Sequence, residues 1–175
     1  MASKISTFLW FEKKVAEDAA THYVQIFNNA PSNASHPASE ILAKTHYSEA
    51  GKENHGQEPG TVMTVEYSLR GQRFVNLNGG AQGWTFNYAV SFQVECEDQA
   101  ETDYFWDRLG EGSDEEERQC GWLRDKFGVV WQVVPRAVSE MMKADDKEAV
   151  GRATAVMMGQ KKLDVEALNK AFKGE

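Results

Sequence analysis

At 175 residues the chain is long enough to bury a continuous core as one domain without disulfides or a structural metal. Hydrophobic residues at 41% and charged residues at 26% are globular usage, and no apolar run approaches the roughly 20 residues of a membrane-spanning helix. A net charge of -8, with no Lys/Arg cluster interleaved with aromatics, excludes nucleic acid as a partner. Cys96 and Cys120 are too far apart for a Cys-x-x-Cys metal or redox motif and read as packing thiols. The first residues lead straight into an apolar segment with no cleavage signature, so the expectation is a cytoplasmic protein.

Residues 5–11 are short and aromatic, and read as a strand. Ala16, Ala20, Tyr23 and Phe27 then recur at helical spacing until Asn28-Asn29-Ala30-Pro31 ends the helix. The stretch 31–60 is rich in Ser, Asn, Pro, Gly and His and reads mostly as loop, with one strand candidate at 40–47. From 61 to 69 the chain alternates, Met63, Val65, Tyr67 and Leu69 on one face and Thr64, Glu66 and Ser68 on the other. The turn Arg70-Gly71-Gln72 leads to a partner strand at 73–78, and 78–83 is a glycine-rich link.

The same order then restarts. A strand at 88–96 precedes a helix at 99–109, with Asp98 as N-cap, Glu101 at capping-box spacing, and Thr102, Phe105 and Leu109 as the buried stripe. The acidic run 111–117 reads as a solvated loop, and a hairpin follows that enters at 119–123 and returns at 129–134. Pro135 ends the sheet. Residues 137–143 and 149–172 read as one or two amphipathic helices. Glu17-Asp18-Ala19-Ala20 corresponds to Glu97-Asp98-Gln99-Ala100, and Leu69-Arg70 to Leu123-Arg124. The chain is therefore read as an internal duplication whose first half carries the longer loop.

Two stretches carry a family resemblance: residues 60–67 continued by Phe74-Val75-Asn76-Leu77-Asn78-Gly79-Gly80, and Gln119-Cys120-Gly121-Trp122-Leu123-Arg124 through Phe127-Gly128 to Pro135. Together, with residues 157–164 of the tail, they resemble the PhnB-like branch of the glyoxalase/bleomycin-resistance/dioxygenase (vicinal oxygen chelate) superfamily, whose members are often labelled 3-demethylubiquinone 3-methyltransferase. The resemblance implies an α+β fold of paired βαβββ modules forming a cupped mixed sheet around a cavity, commonly in a homodimer. The expected organisation is a glyoxalase-like domain at 1–137, with modules at 4–80 and 86–136, and a helical extension at 138–175 that stabilises the dimer. One strand of the second module, near Glu117, is not visible in the sequence.

Metal-using relatives hold a divalent ion with one residue from each of four strands, and the resemblance places these positions on Glu66 and Gln132, near Phe8, and near Val90 or Ser91. Two of the four offer no imidazole or carboxylate, so no preformed metal is expected; were one present, Glu66 and Gln132 would be its ligands. Glu66, a carboxylate on the polar side of an apolar strand, is the candidate catalytic group if that side faces the cavity. Asn76, Asn78, Ser91, Gln93 and Gln132 share the alternation argument as polar ligand contacts, and Trp10 and Trp122 are candidate pocket walls. Trp131 reads as core. The glycine-rich 78–83 segment lacks the following helix that a nucleotide or methyl-donor site needs, so methyl transfer is not expected. Three readings result. The first is a small-molecule-binding protein with no assigned cofactor. The second is a divalent-metal-dependent lyase, isomerase or dioxygenase using Glu66 and Gln132. The third is a non-catalytic regulatory dimer joined by its tail.

Overall fold

The structure, a computed structural model, describes residues 5–175, and the chain divides into two compact units, Met1–Thr85 and Phe86–Glu175. In the first, β1 (Thr7–Phe11), α1 (Ala16–Asn28), β2 (Glu40–His46), α2 (Lys52–His55), β3 (Val62–Leu69) and β4 (Gln72–Asn78) follow one another. The sheet order is β1-β4-β3-β2, with β1 parallel to β4 and the other pairs antiparallel. The hairpin between β3 and β4 closes through Arg70 and Gly71, both at positive φ (47° and 88°). Two left-handed central residues are what a type I′ turn requires, and that turn matches the twist of its strands. The short α2 lies inside the stretch read from sequence as loop, bounded by left-handed Gly51 and Gly56.

α1 packs on one face of this sheet. Its Ala16, Ala19 and Ala20 are fully buried and small enough to bring the helix close, and Tyr23, Ile26 and Phe27 fill the remaining space. They share the buried face with Leu9, Phe11, Val65, Tyr67, Leu69 and Phe74, and the Tyr67 and Phe74 rings stack at 5.3 Å. Each fully buried side chain of this size contributes about 1.5–3 kcal/mol. The alternation read for 61–69 is thus the observed one.

The second unit repeats the plan with one strand fewer: β5 (Phe92–Cys96), α3 (Gln99–Leu109), β6 (Trp122–Arg124) and β7 (Val130–Pro135), in sheet order β5-β7-β6. β5 is parallel to β7 and β6 antiparallel to it, the arrangement of β1, β4 and β3. Where a fourth strand was expected, a 3-10 turn occupies Glu115–Glu117 and a single bridge joins Gln119 to Trp122. Cys120 and Gly121 between them both have positive φ (53° and 80°), a second type I′ pair. The strand read at 88–96 begins only at Phe92, because the Asn87 side chain accepts from Ala89 N and folds the chain into a turn there. α3 starts as the sequence indicates, with Asp98 accepting from Glu101 N; the Glu101 carboxylate reaches back to Glu97 N rather than to the cap residue. Trp106 joins the expected buried stripe.

The tail forms three helices rather than one or two: α4 (Arg136–Met141), α5 (Lys147–Met158) and α6 (Val165–Lys173). The break between α5 and α6 has a physical cause. The carbonyls of Gln160 and Lys161 accept from Cys120 N and Gly121 N, and Asp164 caps α6 by accepting from Ala167 N. The Gln99 side chain donates to Leu163 O and accepts from Val165 N, so both hydrogen-bonding directions of one amide hold the segment. Leu163 is buried with Val138, Met141, Ala153 and Leu168. Residues 160–164 are therefore a strap laid along their own unit. Among the described residues no helix is long and apolar enough to cross a membrane.

Candidate ligand-binding faces

With α1 covering one face of the first sheet, the residues alternating with the core occupy the other. The register aligns Phe8, Val75 and Glu66 in one row across three strands, and Trp10, Leu77 and Thr64 in the next. Glu66 stands between fully buried Val65 and Tyr67, and so lies on the face away from α1. Its carboxylate is ion-paired with Arg73, its diagonal neighbour on β4. Phe8 is 58% exposed. Trp10 is more enclosed. Its indole N–H donates to Gly80 O at 3.0 Å, Trp84 packs edge-on at 5.0 Å, and an added Cβ on Gly79 would overlap its ring.

Asn76 and Asn78 lie on the opposite, helix-side face, both buried and engaged. Asn76 accepts from the Tyr67 hydroxyl and donates to Ala16 O. Asn78 accepts from Ala16 N and donates to Val62 O, while its own carbonyl receives the Tyr47 hydroxyl. α1 has no side-chain cap of its own; from the sheet, Asn78 satisfies one of its unpaired N-terminal N–H groups and Asn76 adds a bond to the carbonyl of the same residue. The role expected for them at a ligand gives way to this one, because Phe74, Asn76 and Asn78 share the buried parity of β4.

In the second unit Val94, Cys96, Leu123, Trp131 and Val133 are buried, and Gln93, Gln132 and Trp122 alternate with them. These three form one row, since Gln93 pairs with Gln132 and Gln132 with Trp122. The Gln132 amide donates to Ser91 Oγ at 2.8 Å. Beside Trp122, at 6.2 Å, is the half-exposed Tyr88, with the Arg124 guanidinium 4.9 Å over its ring. Arg124 Nε donates to Glu117 at 2.6 Å and Nη1 to Phe86 O. Burial works against its charge, but the bonds to Glu117 and Tyr88 outweigh it and raise its pKa above the usual guanidinium value. The structure thus gathers Gln93, Trp122 and Gln132 on one face, and Trp10 and Glu66 on one face of the other unit.

Sequence reasoning missed Tyr88, Arg124 and Asp125. Asp125 is 4% exposed and accepts from Phe127 N, Val129 N and the Trp131 indole, so it ties the turn into β7 to the core beside Gln132. An Asp five residues before a strand, with glycine between, is the signal that could have found it. Burial pushes the Cys120 thiol above its ordinary pKa, which disfavours the thiolate.

The donors at the four metal positions do not suit a divalent ion: the Glu66 carboxylate is neutralised by Arg73, Gln132 engages Ser91, and Phe8 and Val90 are exposed apolar side chains. Among the described residues no three His, Cys, Asp or Glu side chains gather as ligands.

A family model described as 3-demethylubiquinone-9 3-methyltransferase matches residues 3–134. Among solved structures, the PhnB protein from Bacillus cereus, described under the same methyltransferase name, is 30% identical, with a TM-score of 0.60 over 76% of this chain and 99% of its own. Protein PA1353 from Pseudomonas aeruginosa, 16% identical with a TM-score of 0.53 over 76% of this chain and 97% of its own, shares the fold. No curated protein matches the sequence. With its repeated strand–helix–hairpin units and a match spanning both, the chain belongs to the PhnB-like 3-demethylubiquinone-9 3-methyltransferase family and has its glyoxalase-type α+β fold.

Proposed function

We propose that the chain is a small-molecule-binding protein, cytoplasmic and homodimeric, whose ligand meets the row Gln93–Gln132–Trp122. That row is the observation that carries the reading. Two amides, each able to donate and accept, stand beside an aromatic ring on a sheet face that α3 does not cover. Ser91 orients the Gln132 amide, and Tyr88 with Arg124 extends the aromatic side. This chemistry suits a small planar ligand with hydrogen-bonding groups on its ring. In the first unit, Glu66 and Arg73 supply a neutralised polar pair among Phe8, Val75 and Leu77. A carboxylate held by a guanidinium serves as an anchor before it serves as a base, so Glu66 is assigned to binding. Exposed Ile5, Phe8, Trp84, Val90 and Met158 support self-association, with Met158 the contribution of the tail.

Methyl transfer is not part of this reading. The glycine-rich stretch after β4 runs on to β5 instead of into a helix, and Gly79 and Gly80 are occupied with Trp10. The test is calorimetric titration of the full chain with phenol, catechol, nicotinamide and benzoate. Binding of at least one of the uncharged rings, weakened about tenfold or more in both Gln132→Leu and Trp122→Ala, is the expected result. Binding unchanged in both variants sinks the proposal.

A further inference from the structure

Of the chain's eight asparagines only Asn78 precedes a glycine, and Asn-Gly is the dipeptide most prone to spontaneous deamidation. The fold makes both residues necessary. Asn78 must accept from Ala16 N on one side and donate to Val62 O on the other, at 2.9 and 3.0 Å, a pair of tasks that neither aspartate nor leucine performs. Gly79 must lack a Cβ, because one would overlap the Trp10 ring. The sequence therefore cannot discard the labile pair without losing the junction of β4 with α1 and Trp10.

The same contacts hold the reaction shut. Deamidation begins when the backbone nitrogen of residue 79 attacks the side-chain carbon of Asn78. A C–N bond forms, the amide nitrogen leaves as ammonia with the proton given up by Gly79 N, and water then opens the cyclic imide to aspartate or isoaspartate. In the folded unit Gly79 N donates to Phe11 O at 3.1 Å, so the nucleophile is engaged across the β1–β4 ladder. The carboxamide is fixed from both sides, and the Asn78 carbonyl is held by the Tyr47 hydroxyl at 2.7 Å. The side-chain rotation and backbone turn that attack requires are both blocked. We infer that Asn78-Gly79 is a deamidation site gated by opening of the first unit, a chemical mark that accumulates only on chains that have opened there.

The mark is one-way. An aspartate at 78 keeps the acceptor for Ala16 N but loses the donor to Val62 O and sets a carboxylate against a carbonyl, while isoaspartate adds a backbone atom directly before Gly79 and displaces its N–H from Phe11 O. A chain deamidated while open closes poorly, and the modification retires it.

The experiment uses the full chain, incubated in warm, mildly alkaline buffer with and without concentrated urea, with peptide mass spectrometry reading aspartate and isoaspartate at position 78. Deamidation in the folded protein is expected to be slower than in urea by at least about tenfold, since it needs local opening. Tyr47→Phe, which frees the Asn78 carbonyl without touching the reacting atoms, should speed the folded-state reaction by about threefold or more while leaving the rate in urea unchanged. A folded-state rate within tenfold of the urea rate, or a Tyr47→Phe rate equal to the parent's, overturns the gating. Asn78→Asp that refolds with the parent's yield and melting temperature overturns the one-way consequence.

Discussion

The bond between Asp125 and Trp131 offers a quantitative test of how the second unit holds its candidate row. Trp131 is 2% exposed and its indole N–H reaches Asp125 Oδ2 at 2.8 Å, while Oδ1 takes Phe127 N and Val129 N at 2.8 and 3.0 Å. In Asp125→Asn the amide oxygen keeps the two turn donors, but its NH2 group faces the indole N–H and that bond is lost. Loss of a buried bond to a charged acceptor costs about 1.5–3 kcal/mol. Trp131→Phe removes the indole donor and its packing, after which Asp125→Asn has no second bond to lose. Urea unfolding of the parent, both single variants and the double variant, with midpoint and slope compared, should give a coupling of about 1–2 kcal/mol. A coupling below about 0.5 kcal/mol, the usual additivity scatter, refutes the claim that this bond ties the turn to β7. Gln132 is the next residue along β7, so the same variants should disturb ligand binding only as far as they loosen that strand.

Gly79→Ala should destabilise the first unit by about 1–3 kcal/mol, because the added methyl overlaps Trp10, and should alter Trp10 fluorescence; an unchanged melting temperature contradicts the packing described. Cys120→Gly removes the strain of a left-handed non-glycine residue and should be neutral or stabilising by up to about 1 kcal/mol in thermal unfolding, whereas a clear loss of stability contradicts the turn assignment. The strap should loosen in acid. Burial pushes the Asp103 carboxyl up, but Lys162 and Gln99 hold it below its ordinary pKa, so its stabilisation is present above the unfolded carboxyl value and lost as pH falls through the folded one. Hydrogen-exchange protection of the Cys120 and Gly121 amides should fall over that range in the parent and change less in Asp103→Asn; identical profiles contradict it.

The β-hairpin at 62–78, the capped α3 and the duplicated order were legible in the sequence because local pattern and tertiary role agree there. Val65, Tyr67 and Leu69 alternate with polar neighbours, and Asp98 sits at the spacing of its cap. β4 was not orientable in the same way, because Phe74-Val75-Asn76-Leu77-Asn78 carries apolar residues on both parities. Only the docking of α1 reveals that the two asparagines lie inside. Trp10 looked available from its strand position, but its cover, Gly79, Gly80 and Trp84, comes from about 70 residues away in sequence. The strap was hidden for a similar reason. Apolar residues at Val156, Leu163, Leu168 and Phe172 suggest a continuous helix, and it is the backbone donors of a distant turn, with the two-sided amide of Gln99, that keep 160–164 out of helix. Glu66 was placed on the correct face by alternation, but its partner Arg73 follows only from the register of β3 with β4.

A ligand seated on the row Gln93–Gln132–Trp122 would perturb the side-chain NMR signals of those three residues before any others. Titration of the full chain with catechol and nicotinamide is predicted to move the Gln93 and Gln132 amide signals and the Trp122 indole signal together, along one binding curve. Shifts confined instead to residues away from this row, such as Gln99 on α3 and Asn169 on α6, would contradict that placement.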